Sequence, residues 1–209
     1  GGSLEVAGRV FNDKHCHNRS SYLDAFAVSS NIGAIKTGQK VGRELFYNYA
    51  REFGFGEATG VELPAESKGI IRSPESWNGD SLASMSIGYE IGVTALQSAS
   101  AFATIANDGI RVKPHIIKEI RQADGQVFST TEVEKNQVVS AETARQMRQM
   151  MQRVVLGGTG KRAQLNGYTS AGKTGTAWKY DEKLKKINEN KYVSSFIGFA
   201  PVENPAVVI

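Results

Sequence analysis

The stretch from Asn166 to Lys179, NGYTSAGKTGTAWK, gathers hydroxyls, glycines and a lysine at spacings that serve three different chemistries. Gly167 through Thr174 spell G-x-x-x-x-G-K-T, the pattern of a loop whose backbone amides cradle phosphates. Ser170 and Lys173 spell S-x-x-K, in which a helical turn sets an amine beside a nucleophilic hydroxyl. Lys173, Thr174 and Gly175 form a third group. On a strand they offer a positive charge, a hydroxyl and a position without a side chain, in consecutive order.

The surrounding elements separate these readings. A phosphate loop follows an apolar strand and opens a helix, so that the anion rests on the helix N-terminus. Here GTGKRAQLN precedes Gly167 and is too polar for a buried parallel strand, while GTAWKYDEK follows and carries no helical stripe. The S-x-x-K reading fails on the same ground, because TSAGKTGTA is rich in residues that resist helix formation. On a strand Ser170 and Lys173 point to opposite faces, which leaves Ser170 a structural hydroxyl. The K-T-G reading requires a strand. If that strand lies at a sheet edge, its free amides and carbonyls pair with an extended peptide, Lys173 and Thr174 meet a carboxylate, and Gly175 permits close approach.

Composition sets the outer bounds. The 209 residues carry a net charge of +4, too mild to suggest nucleic-acid binding, and a single cysteine, Cys16, which excludes an intrachain disulfide. No apolar run is long enough to span a membrane, and the N-terminus lacks the basic and apolar regions of a signal peptide. The chain stops inside the β-branched run NPAVVI, so it reads as part of a longer protein, with any export or anchoring signal encoded elsewhere. In an extended segment His15 and His17 share a face with Cys16 opposite, and only His115 remains to join them as a metal ligand, so HCH reads more simply as a polar surface loop than as a metal site.

The elements that must position Lys173 follow from periodicity. SLEVAGRVFND alternates as a hairpin arm. A helical pattern runs from about Tyr22 through Phe53, weakened at Gly38 and Gly42 and capped at Gly54. A short extended piece is expected at Val61–Leu63. Thr94-Ala-Leu-Gln97 is a capping box, and it opens a helix with Leu96, Ala99, Phe102, Ala103 and Ala106 as its apolar stripe. A hairpin turns at Asp124-Gly125. Ser140 caps a third helix that buries Ala144, Met147, Met151 and Val154. Strands follow around 168–178, 193–201 and 206–209, with the charged run KYDEKLKKINENKY as a solvated loop between the first two. Helices first and strands last imply an α+β fold with an antiparallel sheet. The division falls into a mainly helical part at about 20–108 and a sheet part at about 109–209.

A second motif joins K-T-G. AVSSNIGAIK contains Ser29-Ser30-Asn31, an S-x-N at the head of a helical segment, and K-T-G follows it in chain order. With FGFGEATGVELPAESKG, SIGYEIGVTALQSASAFATIANDG and GGTGKRAQLNGYTSAGKTGTA, nearly the whole chain resembles the transpeptidase domain of class B penicillin-binding proteins. It is most similar to the division and sporulation types. The resemblance implies the α+β fold shared with serine β-lactamases and a D,D-transpeptidase that cross-links peptidoglycan stem peptides through an acyl-serine. It implies no cofactor and no metal. β-Lactam antibiotics would be ligands, and glycosyltransferase, divisome or elongation proteins would be partners. The domain would be extracytoplasmic, held at the membrane by a segment outside this chain. By the same resemblance, Ser29 relays a proton toward Lys173 and Asn31 holds the substrate's side-chain amide. Lys173 and Thr174 anchor the terminal carboxylate, Thr176 adds a hydroxyl and an oxyanion-hole amide, and Gly175 keeps the strand edge clear.

The sequence departs from the family at one point. The S-x-x-K that carries the nucleophile belongs ahead of S-x-N, and NRSSYLDAF offers Ser20 and Ser21 with no lysine three residues on. A last strand and a C-terminal helix are also expected past Ile209. The chain is therefore expected to be inactive by itself. A D,D-carboxypeptidase or β-lactamase of the same fold, and a catalytically dead penicillin-sensing module, are the alternatives. A nucleotide-binding protein, on the G-x-x-x-x-G-K-T match, is the remote one; taken singly, K-T-G recurs by chance and Ser29 and Asn31 could simply cap a helix.

Overall fold

The computed structural model describes residues 2–14, 20–183 and 185–209. His15, Cys16 and His17 lie outside them. The chain opens with the hairpin β1 (Ser3–Val6) and β2 (Arg9–Asn12). Ala7 and Gly8 both take positive φ, the geometry that matches a two-residue turn to strand twist.

The helical pattern from Tyr22 resolves into three helices, α1 (Tyr22–Ala27), α2 (Asn31–Val41) and α3 (Arg43–Glu52). Gly42 does break the pattern, at φ 85°. Gly38 does not. It is buried inside α2, and a Cβ there would collide with Ser86 Oγ, so its role is close helix–helix approach. Val61–Leu63 form no strand: the Glu66 carboxylate accepts the N–H groups of Thr59 and Gly60 and closes this segment into a loop. Further on, β3 (Ile70–Ile71), α4 (Ser81–Ser86) and β4 (Ile91–Gly92) follow, with β3 and β4 paired antiparallel.

Helix α5 (Ala95–Ala106) starts at the Thr94 capping box, as the sequence predicts, but its buried face is rotated. Gln97, Ala101, Thr104 and Ile105 are buried, and the expected stripe is only half-buried. Internal hydrogen bonds make this tolerable: Gln97 Nε2 donates to Glu57 O and Lys68 O, and Thr104 Oγ1 donates to Ser100 O. Next come β5 (Ile110–Val112), β6 (Glu119–Arg121), β7 (Val127–Thr130) and β8 (Lys135–Gln137). β5 pairs with β8, and the β6–β7 hairpin turns at Gly125.

Helix α6 (Ala141–Gly157) is capped by Ser140, whose Oγ accepts from Thr143 N. It buries Ala144, Met151, Val154 and Val155, with Met147 half-buried. Its buried face also includes Arg148, which donates to Ile105 O at 3.2 Å and to Asp108 Oδ1 at 2.7 Å. That guanidinium satisfies the free carbonyls at the end of α5.

The sheet is β9 (Ala171–Asp181), β10 (Lys186–Ala200) and β11 (Val207–Val208), antiparallel in the order β11-β10-β9. The charged run predicted as a loop is mostly strand. Asp181 accepts from Lys191 Nζ at 2.9 Å and from Asn188 Nδ2 at 3.1 Å, and these bonds tie β9 to β10 beside the register shift between Asn188 and Tyr192. Ile105, Met151, Ala171, Phe199 and Val202 form one core with Phe26 packed against it, so α1, α5, α6 and the sheet share one apolar layer. A second core joins Phe11 of the hairpin to Ile35 of α2 and Ala83 of α4. The fold is α+β, helices against an antiparallel sheet.

Candidate active site

Lys173 lies on β9, which forms an edge of its sheet among the described residues. The pairing Lys173↔Ile197, Thr174↔Phe196, Gly175↔Ser195 and Thr176↔Ser194 to β10 fixes its register. The phosphate-loop reading of this stretch is thereby removed, since Gly172 through Thr176 are all strand and no helix follows Thr174. Ser170 lies just ahead of β9, and its Oγ donates to Ala163 O at 2.7 Å, a structural contact.

Ser29 arrives from the other side. It occupies the turn between α1 and α2 with φ 61°, a left-handed conformation that costs a residue with a Cβ about 1 kcal/mol. The helix cap is Ser30, whose Oγ accepts from Gly33 N, so the Ser29 hydroxyl is left free of capping. Lys173 Nζ donates to that hydroxyl at 2.6 Å and to Thr174 O at 3.1 Å. The Phe26 ring sits 5.9 Å from the ammonium, a cation–π contact that also excludes water. Burial of this amine pushes its pKa below the ordinary lysine value, because desolvation penalises the charged form. The pair can therefore pass a proton: a lysine that gives it up more readily than usual, in hydrogen-bond contact with a serine hydroxyl.

Thr174 Oγ1 lies 2.6 Å from Thr159 Oγ1. Thr159, which sequence reasoning did not single out, follows α6 in GGTG, and its N–H donates to Ala27 O at 3.2 Å. A Cβ on Gly158 would overlap that same carbonyl oxygen and lie 2.8 Å from Ala27 C. The loop after α6 thus touches both the K-T-G strand and the turn that holds Ser29. In the sequence Thr159 stands in the G-G-T-G run that opens one of the stretches carrying the family resemblance, with glycines that suit the end of a helix.

Thr176 is exposed farther along β9. A Cβ on Gly175 would lie 2.5 Å from Ser195 Oγ on the paired strand. Asn31 is the first residue of α2, two positions past Ser29, and its Nδ2 donates to Asn12 O at 2.9 Å at the end of β2. A second residue missed by sequence reasoning, Asp13, accepts from Ser30 Oγ at 2.8 Å and from Ile32 N at 3.1 Å. Among the described residues no group of His, Cys, Asp or Glu is arranged to hold a metal ion.

The structure brings together a serine–lysine contact, an edge strand reading K-T-G and S-x-N on the facing turn, the motifs that penicillin-binding proteins and serine β-lactamases share. The profile of the penicillin binding protein transpeptidase domain matches residues 5–209, and the chain belongs to that family. It is similar to penicillin-binding protein PbpB of Mycolicibacterium smegmatis, at 39% identity over all of this chain and 34% of that protein. Stage V sporulation protein D of Bacillus subtilis is 36% identical over 92% of the chain and 30% of its own length. The crystal structure of penicillin binding protein 3 from Mycobacterium tuberculosis, complexed with aztreonam, superposes with a TM-score of 0.93 at 37% identity. That match covers 99% of this chain and 48% of the other. The chain spans about a third of the length of the relatives it matches.

Proposed function

We propose that this chain forms the substrate-anchoring part of a peptidoglycan D,D-transpeptidase. The observation that carries this is the 2.6 Å contact between Lys173 Nζ and Ser29 Oγ beside the edge strand. A serine supplied by an S-x-x-K ahead of these residues attacks the carbonyl of a D-Ala-D-Ala stem. The C–N bond breaks, D-alanine leaves with a proton delivered through Ser29 and Lys173, and the acyl group stays on the serine oxygen. An amine of a second stem then displaces it and forms the cross-link.

The remaining residues fit roles around that exchange. The stem's terminal carboxylate meets the Lys173 ammonium and the Thr174 hydroxyl. Thr176 contributes a hydroxyl and its backbone amide, and Gly175 lies between them on the same strand. With Asn31 Nδ2 committed to Asn12 O, Asn31 Oδ1 is the atom left to accept an N–H from the acyl side of the stem. β-Lactams enter as mimics of the dipeptide, and the domain works on the outer side of the membrane, where peptidoglycan is found. No helix among the described residues is long and apolar enough to cross a membrane. A segment outside these 209 residues anchors the protein, and glycosyltransferase, divisome or elongation proteins are partners of the whole protein.

Incubating the full-length protein with a stem pentapeptide and an acceptor amine tests this. Cross-linked dimer and D-alanine in equal amounts are expected. D-alanine without dimer would make the protein a carboxypeptidase, rapid penicillin hydrolysis a β-lactamase, and no acyl-enzyme at all a dead binding module. The 209-residue chain alone is expected to take no covalent penicillin label.

A further inference from the structure

We infer that Asp13 is a positioning residue for Ser29, whose carboxylate locks the head of α2 and so fixes the left-handed turn that sets the Ser29 hydroxyl against Lys173. The inference rests on reading Ser29 and Lys173 as the proton-handling pair.

Ser29 does not hold its conformation unaided. Its φ of 61° is unfavourable for any residue with a Cβ. On the α1 side the turn is tied by Ser29 N to Phe26 O at 3.1 Å and Ser30 N to Ala25 O at 2.9 Å. On the α2 side the ties come from the end of β2. Asp13 Oδ1 accepts the Ile32 N–H and Oδ2 accepts the Ser30 hydroxyl, while Asn12 O accepts the Asn31 amide. Three consecutive residues after Ser29 are therefore bonded to two consecutive residues of another element.

The geometry also fixes a proton. Ser30 Oγ accepts from Gly33 N at 3.0 Å, so its own hydrogen is free to point only at Asp13. A carboxylate at this place also suits the positive end of the α2 dipole. The base of Asp13 is itself rigid. Phe11, two residues earlier, is buried against Ile35 of the same helix α2 and against Ala83, so the carboxylate and the helix it grips move as one body. Asp13 touches neither Ser29 nor Lys173 and acts only through the turn.

The test uses the full-length protein with Asp13→Ala and Asp13→Asn. Acylation by a fluorescent penicillin is timed across neutral and alkaline pH and normalised to the fraction labelled at saturation, which removes misfolded protein from the rate. A turn displaced by even an ångström is expected to slow Asp13→Ala about 100-fold per competent site. Asp13→Asn keeps one acceptor oxygen for Ile32 N and is expected to lose about tenfold, the scale of one charge-assisted hydrogen bond. Both variants are expected to shift the pH limb that Lys173→Met abolishes. If Asp13→Ala does not fold, Asp13→Asn carries the test alone. Wild-type rates and pH profile in the folded fraction, with only the melting temperature lowered, would make Asp13 a structural cap and overturn the inference. The Ser29–Lys173 reading would survive that result. Acylation undiminished in Lys173→Met would instead overturn that reading, and the inference with it.

Discussion

Ser29 and Lys173 meet across 144 residues of sequence and are held there by opposite means. Lys173 sits in a regular strand, where the ladder to β10 sets its register and side-chain period sets its direction. Ser29 sits in a left-handed turn that no repeating pattern supports. Side chains and loops arriving from elsewhere hold it: Asp13 and Asn12 from the hairpin, and Gly158 and Thr159 from the end of α6. A strand position depends on many equivalent bonds, so a substitution there alters chemistry and leaves geometry alone. The turn depends on a few unlike contacts, so changes at a distance move it.

Lys173→Met cuts at the chemistry and leaves the strand, since methionine keeps the apolar stem. Acylation of the full-length protein is expected to fall about 1000-fold, the range of a lost proton-transfer group. Stability is expected to move the other way. The folded pKa of Lys173 lies below the unfolded value of 10.5, so the unfolded chain binds more protons between the two. Wild-type stability therefore rises with pH through that window, and the penalty is complete below it. The melting temperature of Lys173→Met should exceed wild type at neutral pH, with the gap closing toward pH 10.5. A variant less stable than wild type at neutral pH would mean that the bonds to Ser29 and Thr174 O outweigh desolvation.

Gly158→Ala touches neither partner and tests the turn. The added Cβ has to displace the Ala27 carbonyl, which is backbone and cannot rotate away. We expect about 2 kcal/mol of lost stability from overpacking. Acylation should fall about 100-fold if the Ser29 turn moves with Ala27. An unchanged rate beside a lowered melting temperature would show that the turn is better buffered than its contacts suggest. Thr159→Val is milder. It removes the hydroxyl that meets Thr174 Oγ1 but keeps the N–H to Ala27 O, so about a tenfold loss in acylation is expected. The loss should appear with β-lactams that carry a carboxylate, and a neutral analogue should show little of it.

The same contrast explains what the sequence disclosed. The strand nature of β9 as far as Trp178, the antiparallel sheet and the caps at Thr94 and Ser140 are written in local periodicity and hydrogen-bonding side chains. Lys173, Thr174 and Ser29 could be named because their motifs are contiguous. The contacts around the turn could not be named. Asp13 lies before any helical pattern, and its partners are backbone and hydroxyl groups that carry no type-specific mark. Thr159 stands among glycines just past α6, where no periodic pattern marks its partners. The rotated face of α5 was hidden for a related reason: Gln97 and Thr104 are buried because they find hydrogen-bond partners, and hydropathy counts them as surface. The charged run after Trp178 reads as a loop by composition, although Lys191 and Asp181 pair across the strands. In each case the missing term was a polar contact, which hydropathy does not register.

Gly175 gives the smallest and sharpest test, because two accounts of its missing side chain predict different rescues. One holds that it clears the edge for a substrate. The other follows from the strand pair, where a Cβ would lie 2.5 Å from Ser195 Oγ on β10. Ser195 is exposed and its hydroxyl is free to turn, so Gly175→Ala alone should cost less than about 1 kcal/mol. Adding Ser195→Ala removes the obstructing oxygen, and the melting temperature should return to wild type. On the strand-pair account acylation returns with it, to within about twofold, as for a substitution that disturbs nothing else. If the double variant recovers its stability and still acylates slowly, the absent Cβ matters to the substrate. Lys173's strand would then share the sensitivity of the Ser29 turn, and the contrast between the two halves of the site would fail at its regular end.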